Sequence, residues 1–155
     1  MRSGAIPMPS EPVRPEALVA EARRWLGTPF RHQGRIRGEG VDCVGLVLEP
    51  ARALGLTDYR PGAYSRLPDA GTLRRELARH LVTVAKPELR EGDILLLAAP
   101  LSPSHLALVG ELAGTLTMIH ASGPIGRVVE HGIDAVWDGR IRGVYRFPDL
   151  APETA

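Results

Sequence analysis

The segment Gly92–Ala99, GDILLLAA, is where the hydrophobic pattern of the chain changes. Its apolar residues are continuous from Ile94 onward, which is typical of a short strand that is covered on both faces. Upstream, apolar residues recur every three or four positions, as on amphipathic helices, whereas downstream they form short runs separated by Gly, Pro or Asp. Helices followed by an antiparallel meander predict an α+β fold, with N-terminal helices packed on a C-terminal sheet.

About five strands and three helices are predicted from this pattern. The strands are Ile94–Ala99, Leu106–Leu112, Thr115–Ala121, Arg127–Ile133 and Ile141–Phe147. The helices extend from Pro15 to about Leu26, from the N-cap Asp42 to Gly55, and from about Thr72 to Val82. Pro50 lies inside the second helix, where the loss of a hydrogen bond should kink or shorten it.

Length and composition are those of a single globular domain. The chain has 155 residues, of which 44% are hydrophobic and 24% charged. We expect a flexible arm over residues 1–13, one domain over 14–148 and a short tail over 149–155. The net charge of +1 argues against nucleic-acid binding by bulk electrostatics. No apolar run is long enough to span a membrane, and the N-terminal segment lacks the apolar core of a secretory signal peptide.

The chain contains a single cysteine, Cys43, so it has no internal disulfide. With Asp42 as N-cap, Cys43 occupies the first helical position, where the unpaired N–H groups and the helix dipole favour a thiolate. The position therefore suggests a reactive thiol with a lowered pKa. A buried structural cysteine is the alternative, and the position alone does not separate the two.

Two histidines strengthen the catalytic interpretation. A hairpin that turns at Ala113-Gly114 would place Ala107 opposite His120, and His105 shares the face of Ala107. His105 and His120 would then be diagonal neighbours, about 7–8 Å apart by backbone position. A helix-start thiol and two such histidines can serve as nucleophile, base and orienting group.

A metal site is an alternative use of these side chains. Zinc could use the same three side chains, but the sequence has neither a CxxC nor an HxxxH pairing, so no metal is expected. His80 and His131 are predicted to be solvated. His32 precedes the thiol in a Gly- and Arg-rich loop, and the sequence does not decide whether it lines a cleft.

Six motifs together resemble the NlpC-type cysteine peptidases, which are papain-like enzymes that cleave peptidoglycan stem peptides. They are WLGTPFRHQG (25–34), GVDCVGLV (40–47), GDILLL (92–97), SHLALV (104–109), MIHAS (118–122) and VYRFP (144–148). The resemblance covers about residues 16–148. The wording of GTPFRHQG and YRFP is most similar to the subset encoded with phage tails and gene transfer agents.

The resemblance implies a papain-like fold in which Cys43 is the nucleophile, His105 the general base and His120 the residue that orients it. It implies cleavage of γ-D-glutamyl bonds to a diamino acid, without a cofactor. It also implies peptidoglycan stem peptides and phage-like tail or baseplate proteins as partners. We expect a protein made in the cytoplasm, incorporated into such a tail and acting at the wall of the target cell, without nucleic-acid or membrane partners.

The residues around the thiol are candidates for substrate contacts. They are Phe30, Arg31, His32, Asp42 and Val44. Phe30 stands where the family usually has a tyrosine, and Val44 replaces the usual serine. Arg31, Arg35 and Arg37 could meet the carboxylates of a stem peptide, or form a solvated loop. These departures leave two alternatives open: a structural tail-assembly protein with little or no activity, and an acyltransferase or amidase that acts on another small amide.

Overall fold

A computed structural model describes residues 11–64, 70–99 and 102–152. Its helices are α1 (Pro15–Arg23), α2 (Cys43–Ala53), α3 (Ala70–His80) and α4 (Ala135–Asp138), with a 3-10 turn at Lys86–Glu88. The strands are β1 (Arg35–Ile36), β2 (Gly40–Val41), β3 (Val82–Val84), β4 (Ile94–Ala99), β5 (Ser102–Leu112), β6 (Thr115–Ser122), β7 (Arg127–Gly132) and β8 (Ile141–Arg146). None of these helices is both long and apolar enough to cross a membrane.

The fold is α+β, as predicted. Within the described residues, six strands form one antiparallel sheet in the order β3-β8-β4-β5-β6-β7. The predicted number of about five was too low because the third helix was extended to Val82, the first residue of β3, and no strand was predicted there. That helix ends at His80, and the β-branched segment Val82–Val84 pairs with β8 instead.

Both faces of the sheet are covered, as the apolar run in β4 predicted. Ile94 and Leu96 belong to a large core shared with α1 and α2, whereas Leu95 and Leu97 belong to a smaller core on the other face. All four side chains are buried. We call these the helix-side core and the far-side core. Alternation along a strand sends successive side chains to opposite faces, so β4 contributes to both cores.

The first two helices follow the predicted boundaries in part. α1 ends at Arg23, earlier than expected, and a turn leads to Gly27, whose φ of +86° is the left-handed conformation predicted for the cap. α2 continues through Pro50 to Ala53, so the predicted interruption is wrong. Pro50 is buried, and the packing of α2 against α1 and β5 outweighs the one missing hydrogen bond.

The two ends of the described chain lie side by side. Val13 forms a bridge with Leu150, and the Ala151 N–H donates to the Val13 carbonyl at 2.8 Å. Leu150 and Ala151 are buried. Residues 1–10 of the predicted arm lie outside the described residues, as do 153–155 of the predicted tail.

Close packing at Gly45, in the first turns of α2, makes a testable prediction. A Cβ built on Gly45 would lie 2.7 Å from Val41 Cγ2 and 2.8 Å from the Gly34 carbonyl oxygen. We therefore expect Gly45→Ala to lower the free energy of unfolding by about 1–3 kcal/mol, measured by urea denaturation. This is opposite in sign to the usual effect of replacing a helical glycine with alanine, which is a gain of up to about 1 kcal/mol.

The matched control is Gly123→Ala, where an added Cβ has nothing within 4 Å. It should change the unfolding free energy by no more than about 0.5 kcal/mol. Equal stability of Gly45→Ala and wild type would contradict the packing described for the start of α2.

Candidate active site

The candidate site is built around the N-terminus of α2, where Cys43 is the first helical residue. Asp42 is the N-cap, and its Oδ1 accepts a hydrogen bond from the Gly45 N–H at 2.9 Å, as the sequence predicted. Asp42 is 3% exposed, whereas Cys43 is only half-buried. The cap thus fixes the backbone from which the thiol projects.

Three further donors converge on the same carboxylate. Arg35 Nη1 donates to Asp42 Oδ1 at 2.9 Å, the Gln33 N–H donates to Oδ2 at 2.8 Å, and the Tyr64 hydroxyl donates to Oδ2. Arg35 Nη2 in turn donates to the Tyr64 hydroxyl oxygen at 2.7 Å. We call Asp42, Arg35, Gln33 and Tyr64 the cap cluster. It joins α2 to two loops that are distant in sequence.

Tyr64 is a residue that the sequence did not reveal. Its carbonyl oxygen accepts hydrogen bonds from His32 Nε2 at 3.0 Å and from Gln33 Nε2 at 2.8 Å. Burial and the hydrogen bond to the Asp42 carboxylate raise the pKa of Tyr64, so the hydroxyl keeps its proton. The loop around Tyr64 has no periodic pattern, so no local signal links it to residues about thirty positions earlier.

The electrostatics of the thiol differ from the prediction of a lowered pKa. Burial of the sulfur, and then the negative charge of Asp42, raise the pKa of Cys43 to about 12. The backbone N–H groups of Leu106 and Cys43 and the charge of Arg35 act in the opposite direction, but they are weaker. In this structure Cys43 is therefore a neutral thiol, and the helix N-terminus does not outweigh desolvation.

The hairpin that carries the histidines has the predicted register. Leu108 pairs with Ile119, and the turn residues Ala113 and Gly114 have φ values of +51° and +81°, as a two-residue type I′ turn requires. His105 Nε2 and His120 Nδ1 are hydrogen bonded at 2.7 Å. The prediction that these two rings are neighbours on one face is confirmed.

Both rings are held in a dry environment. His105 is 8% exposed and His120 is 2% exposed. Burial lowers the pKa of His105 to about 4 and, together with the neighbouring histidines, that of His120 to about 3. Both imidazoles are therefore neutral at neutral pH, which is the state in which one ring nitrogen can accept a proton.

His131 extends this pair into a row of three rings. The prediction that His131 is solvated is wrong: its Nε2 is hydrogen bonded to His120 Nε2 at 2.8 Å, and its Nδ1 to the Gly132 carbonyl at 2.8 Å. The pairing of Met118 with His131 puts His131 on the same face as His120. His80, also predicted to be solvated, is exposed but stacks on Tyr59 with a centroid separation of 4.0 Å.

The thiol and the histidines reach β5 from different sides. Cys43 packs with the helix-side core, and His105 lies opposite Leu97 of the far-side core. The thiol contacts the strand at the N–H of Leu106, the residue after His105. Among the described residues no hydrogen bond joins Cys43 to a histidine, and no group of three or more His, Cys, Asp or Glu side chains is arranged to hold a metal ion.

The remaining candidate residues differ in their surroundings. Phe30 and Arg31 are exposed, and His32 is hydrogen bonded to the Tyr64 carbonyl oxygen. Val44 is half-buried and, with Leu106, lines an apolar cavity of about 60 Å³ between α2, α3 and the sheet. Of the three arginines proposed to meet substrate carboxylates, Arg35 is engaged in the cap cluster, whereas Arg31 and Arg37 are exposed.

Comparison with known proteins relates this fold to NlpC/P60 domains. No protein-family model matches the chain, and no curated protein sequence matches it. The NlpC/p60 domain of the peptidoglycan hydrolase SagA is 26% identical, with a TM-score of 0.56 over 86% of this chain and 98% of that domain. An NlpC/P60 family protein from Bacillus cereus is 24% identical, with a TM-score of 0.62 over 92% of this chain and 41% of that one.

A third solved structure is described as similar to lipoprotein, NLP/P60 family, from Staphylococcus aureus. It is 17% identical, with a TM-score of 0.59 over 94% of this chain and 46% of that chain. The chain thus spans less than half the length of the Bacillus and Staphylococcus proteins. These likenesses establish that the chain has the fold of an NlpC/P60 domain.

The raised pKa of Cys43 predicts how the thiol reacts as pH changes. Only the thiolate is alkylated, so a folded-state pKa of about 12 means that the rate with iodoacetamide should keep rising well above pH 9. Urea-unfolded protein should instead reach a plateau just above the ordinary cysteine value of about 8.5. A folded-state rate that is already constant below pH 8 would contradict the neutral thiol.

Asp42→Asn provides a matched variant for the same measurement. Asparagine is also a good N-cap residue and keeps one oxygen that can accept from the Gly45 N–H, whereas the negative charge beside the sulfur and the second acceptor oxygen of the cap cluster are removed. We expect the apparent pKa of Cys43 to fall relative to wild type.

Proposed function

We propose that this protein is a peptidoglycan hydrolase that cleaves an amide bond of the stem peptide with Cys43 as its nucleophile. The observation that carries the proposal is where α2 meets β5. The Cys43 thiol begins the helix and approaches the backbone N–H of Leu106, and the residue before Leu106 in β5 is His105, which is hydrogen bonded to His120. The likeness to the NlpC/p60 domain of the hydrolase SagA supports the substrate class.

The reaction starts from neutral partners. Cys43 Sγ attacks the carbonyl carbon while His105 takes the thiol proton, and the tetrahedral intermediate collapses when His105 gives that proton to the departing amine. Water then attacks the thioester, with His105 again acting as base, and releases the carboxylate and the thiol. His105 and Cys43 are not hydrogen bonded in the unliganded protein, as is common before a substrate is bound.

The start of α2 also supplies donors for the oxyanion of the intermediate. The Asp42 side chain accepts the Gly45 N–H and the Asp42 carbonyl accepts the Leu46 N–H. The earlier N–H groups of the first turn, from Cys43 and Val44, point toward the same end of the helix. They are the groups that we assign to the developing negative charge.

We further propose that the bond cut is the γ-D-glutamyl bond to the diamino acid, and that a phage-like tail delivers the protein to the wall. These two points are supported by the resemblance of the six motifs, above all GTPFRHQG and YRFP. Mass spectrometry of the released muropeptides identifies the bond, and antibody labelling of purified particles tests the delivery.

One alternative is a structural protein with the same fold and no activity. The raised pKa of Cys43 and the absence of a hydroxyl at Phe30 are the observations that favour it. Wild-type protein that releases no amines from sacculi containing either diaminopimelate or lysine would support this alternative over the hydrolase.

Replacement of the nucleophile is the first test. We expect Cys43→Ala to abolish amine release from purified sacculi, because no other group near the base can form the thioester. The unfolding free energy should change by less than about 1 kcal/mol, since Cys43 is only a partly buried residue and loss of one small atom leaves little cavity. Hydrolysis by Cys43→Ala at the wild-type rate would exclude the thiol mechanism.

The two histidines should differ in the size of their effects. His105→Ala removes the base, whereas His120 acts through His105, so its loss should be milder. In one peptide assay we expect the rates to decrease from wild type to His120→Asn, then His120→Ala, then His105→Ala. The asparagine keeps one hydrogen bond to the His105 ring. A wild-type rate for His120→Ala would show that His120 has no orienting role.

A further inference from the structure

We infer that His131 is a positioning residue that fixes the tautomers of His120 and His105, so that the unprotonated nitrogen of His105 is Nδ1. The inference rests on the proposed function, in which His105 is the base. His131 is not one of the three residues assigned as nucleophile, base and orienting group. The inference follows from the Gly132 carbonyl beside His131 and from the two contacts between neighbouring histidine rings.

The argument begins at the end of the row of rings. The Gly132 carbonyl oxygen lies 2.8 Å from His131 Nδ1, and a carbonyl can only accept a hydrogen bond. His131 Nδ1 therefore carries the hydrogen. A neutral imidazole has a single N–H, so Nε2 of His131 must be an acceptor.

The same rule then applies to each ring in turn. His120 Nε2 lies 2.8 Å from His131 Nε2, so it must carry the hydrogen and donate it. His120 Nδ1 is consequently an acceptor, and the hydrogen of the 2.7 Å contact with His105 belongs to His105 Nε2. The lone pair of His105 is then on Nδ1, the nitrogen that remains available for the Cys43 proton.

Because the rings of His105 and His120 are buried, protein groups rather than water determine their tautomers. The Trp137 ring lies against the middle ring and one end ring of the row, with centroid separations of 5.4 Å from His120 and 5.5 Å from His131. Burial of His120 at 2% exposure keeps water from either of its nitrogens. The lowered pKa values of His105 and His120, caused mainly by burial, agree with neutral rings at these two positions.

The spectroscopic test is a long-range proton–nitrogen correlation spectrum of ¹⁵N-histidine-labelled protein at pH 8, well above the ordinary histidine pKa of about 6.5. We expect His105 and His120 as Nε2–H tautomers and His131 as the Nδ1–H tautomer. A wild-type spectrum with His105 protonated at Nδ1 would overturn the inference without any variant.

Variants of His131 connect the tautomers to the reaction. His131→Phe removes the acceptor but keeps a ring beside Trp137, so His120 and His105 should become tautomer mixtures. The turnover number on stem peptides should fall about tenfold, the value of one hydrogen bond, with an unchanged KM. His131→Gln keeps an acceptor oxygen and should retain both the tautomers and most of the rate. His80→Phe is the control, because His80 is an exposed histidine outside the row.

The outcomes separate this inference from the proposed function. If the wild-type tautomers are as expected but no stem peptide is cleaved, the proposed function fails and the tautomer assignment stands. If wild type is active and His131→Phe matches it in both tautomers and turnover number, His131 does not position His105. A rise in KM with constant turnover number would also contradict a positioning role.

Discussion

The buried carboxylate of Asp42 is the interaction on which the site depends. It receives four hydrogen bonds, from Gly45 in α2, from Gln33 and Arg35 in the segment before the thiol, and from Tyr64 in a later loop. Because every one of these donors needs the carboxylate, the start of α2 and both adjoining loops are held by one group. A buried charge that is paired and fully hydrogen bonded can be retained in a protein interior, whereas an unpaired one is very costly.

The position of this charge also affects the ionisation of Cys43. The charge that holds the helix start in place lies directly before Cys43, and it raises the pKa of the thiol that it positions. Geometry and thiolate stability are therefore in conflict at this helix N-terminus. The proposed mechanism, which starts from a neutral thiol, resolves this conflict, because in it the sulfur loses its proton to His105 only as the carbonyl is attacked.

The parts of the site that depend on local sequence were predictable. The Asp42 cap, the left-handed Gly27 and the hairpin turn at Ala113-Gly114 each follow from neighbouring residues, and the structure has all three. The turn sets the register of β5 and β6, and the register brings His105 and His120 together. The contact between His105 and His120, fifteen positions apart, could thus be derived from the Ala113-Gly114 turn.

Other features were not predictable because they depend on tertiary contacts. Pro50 does not interrupt α2, since neighbouring elements hold the helix on both sides of it. Tyr64 is hydrogen bonded to Asp42 from a loop whose sequence has no periodic pattern. β3 is a strand because Val82–Val84 pairs with β8. The pKa of Cys43 belongs in the same group: the helix position is visible in the sequence, but desolvation of the sulfur is a property of the folded chain.

Cys43 and the histidines approach the sheet from opposite faces. The helix-side core anchors α2 and thus Cys43, the proposed nucleophile, whereas the histidines lie on the side of the far-side core. Both groups approach β5, and this strand is paired on both of its edges, with β4 and with β6. The His105 ring is hydrogen bonded within a row of rings on a central strand, so it has little rotational freedom. Of the two proposed catalytic groups, His105 is thus the one whose position is most strongly fixed, because its ring is buried and hydrogen bonded to His120.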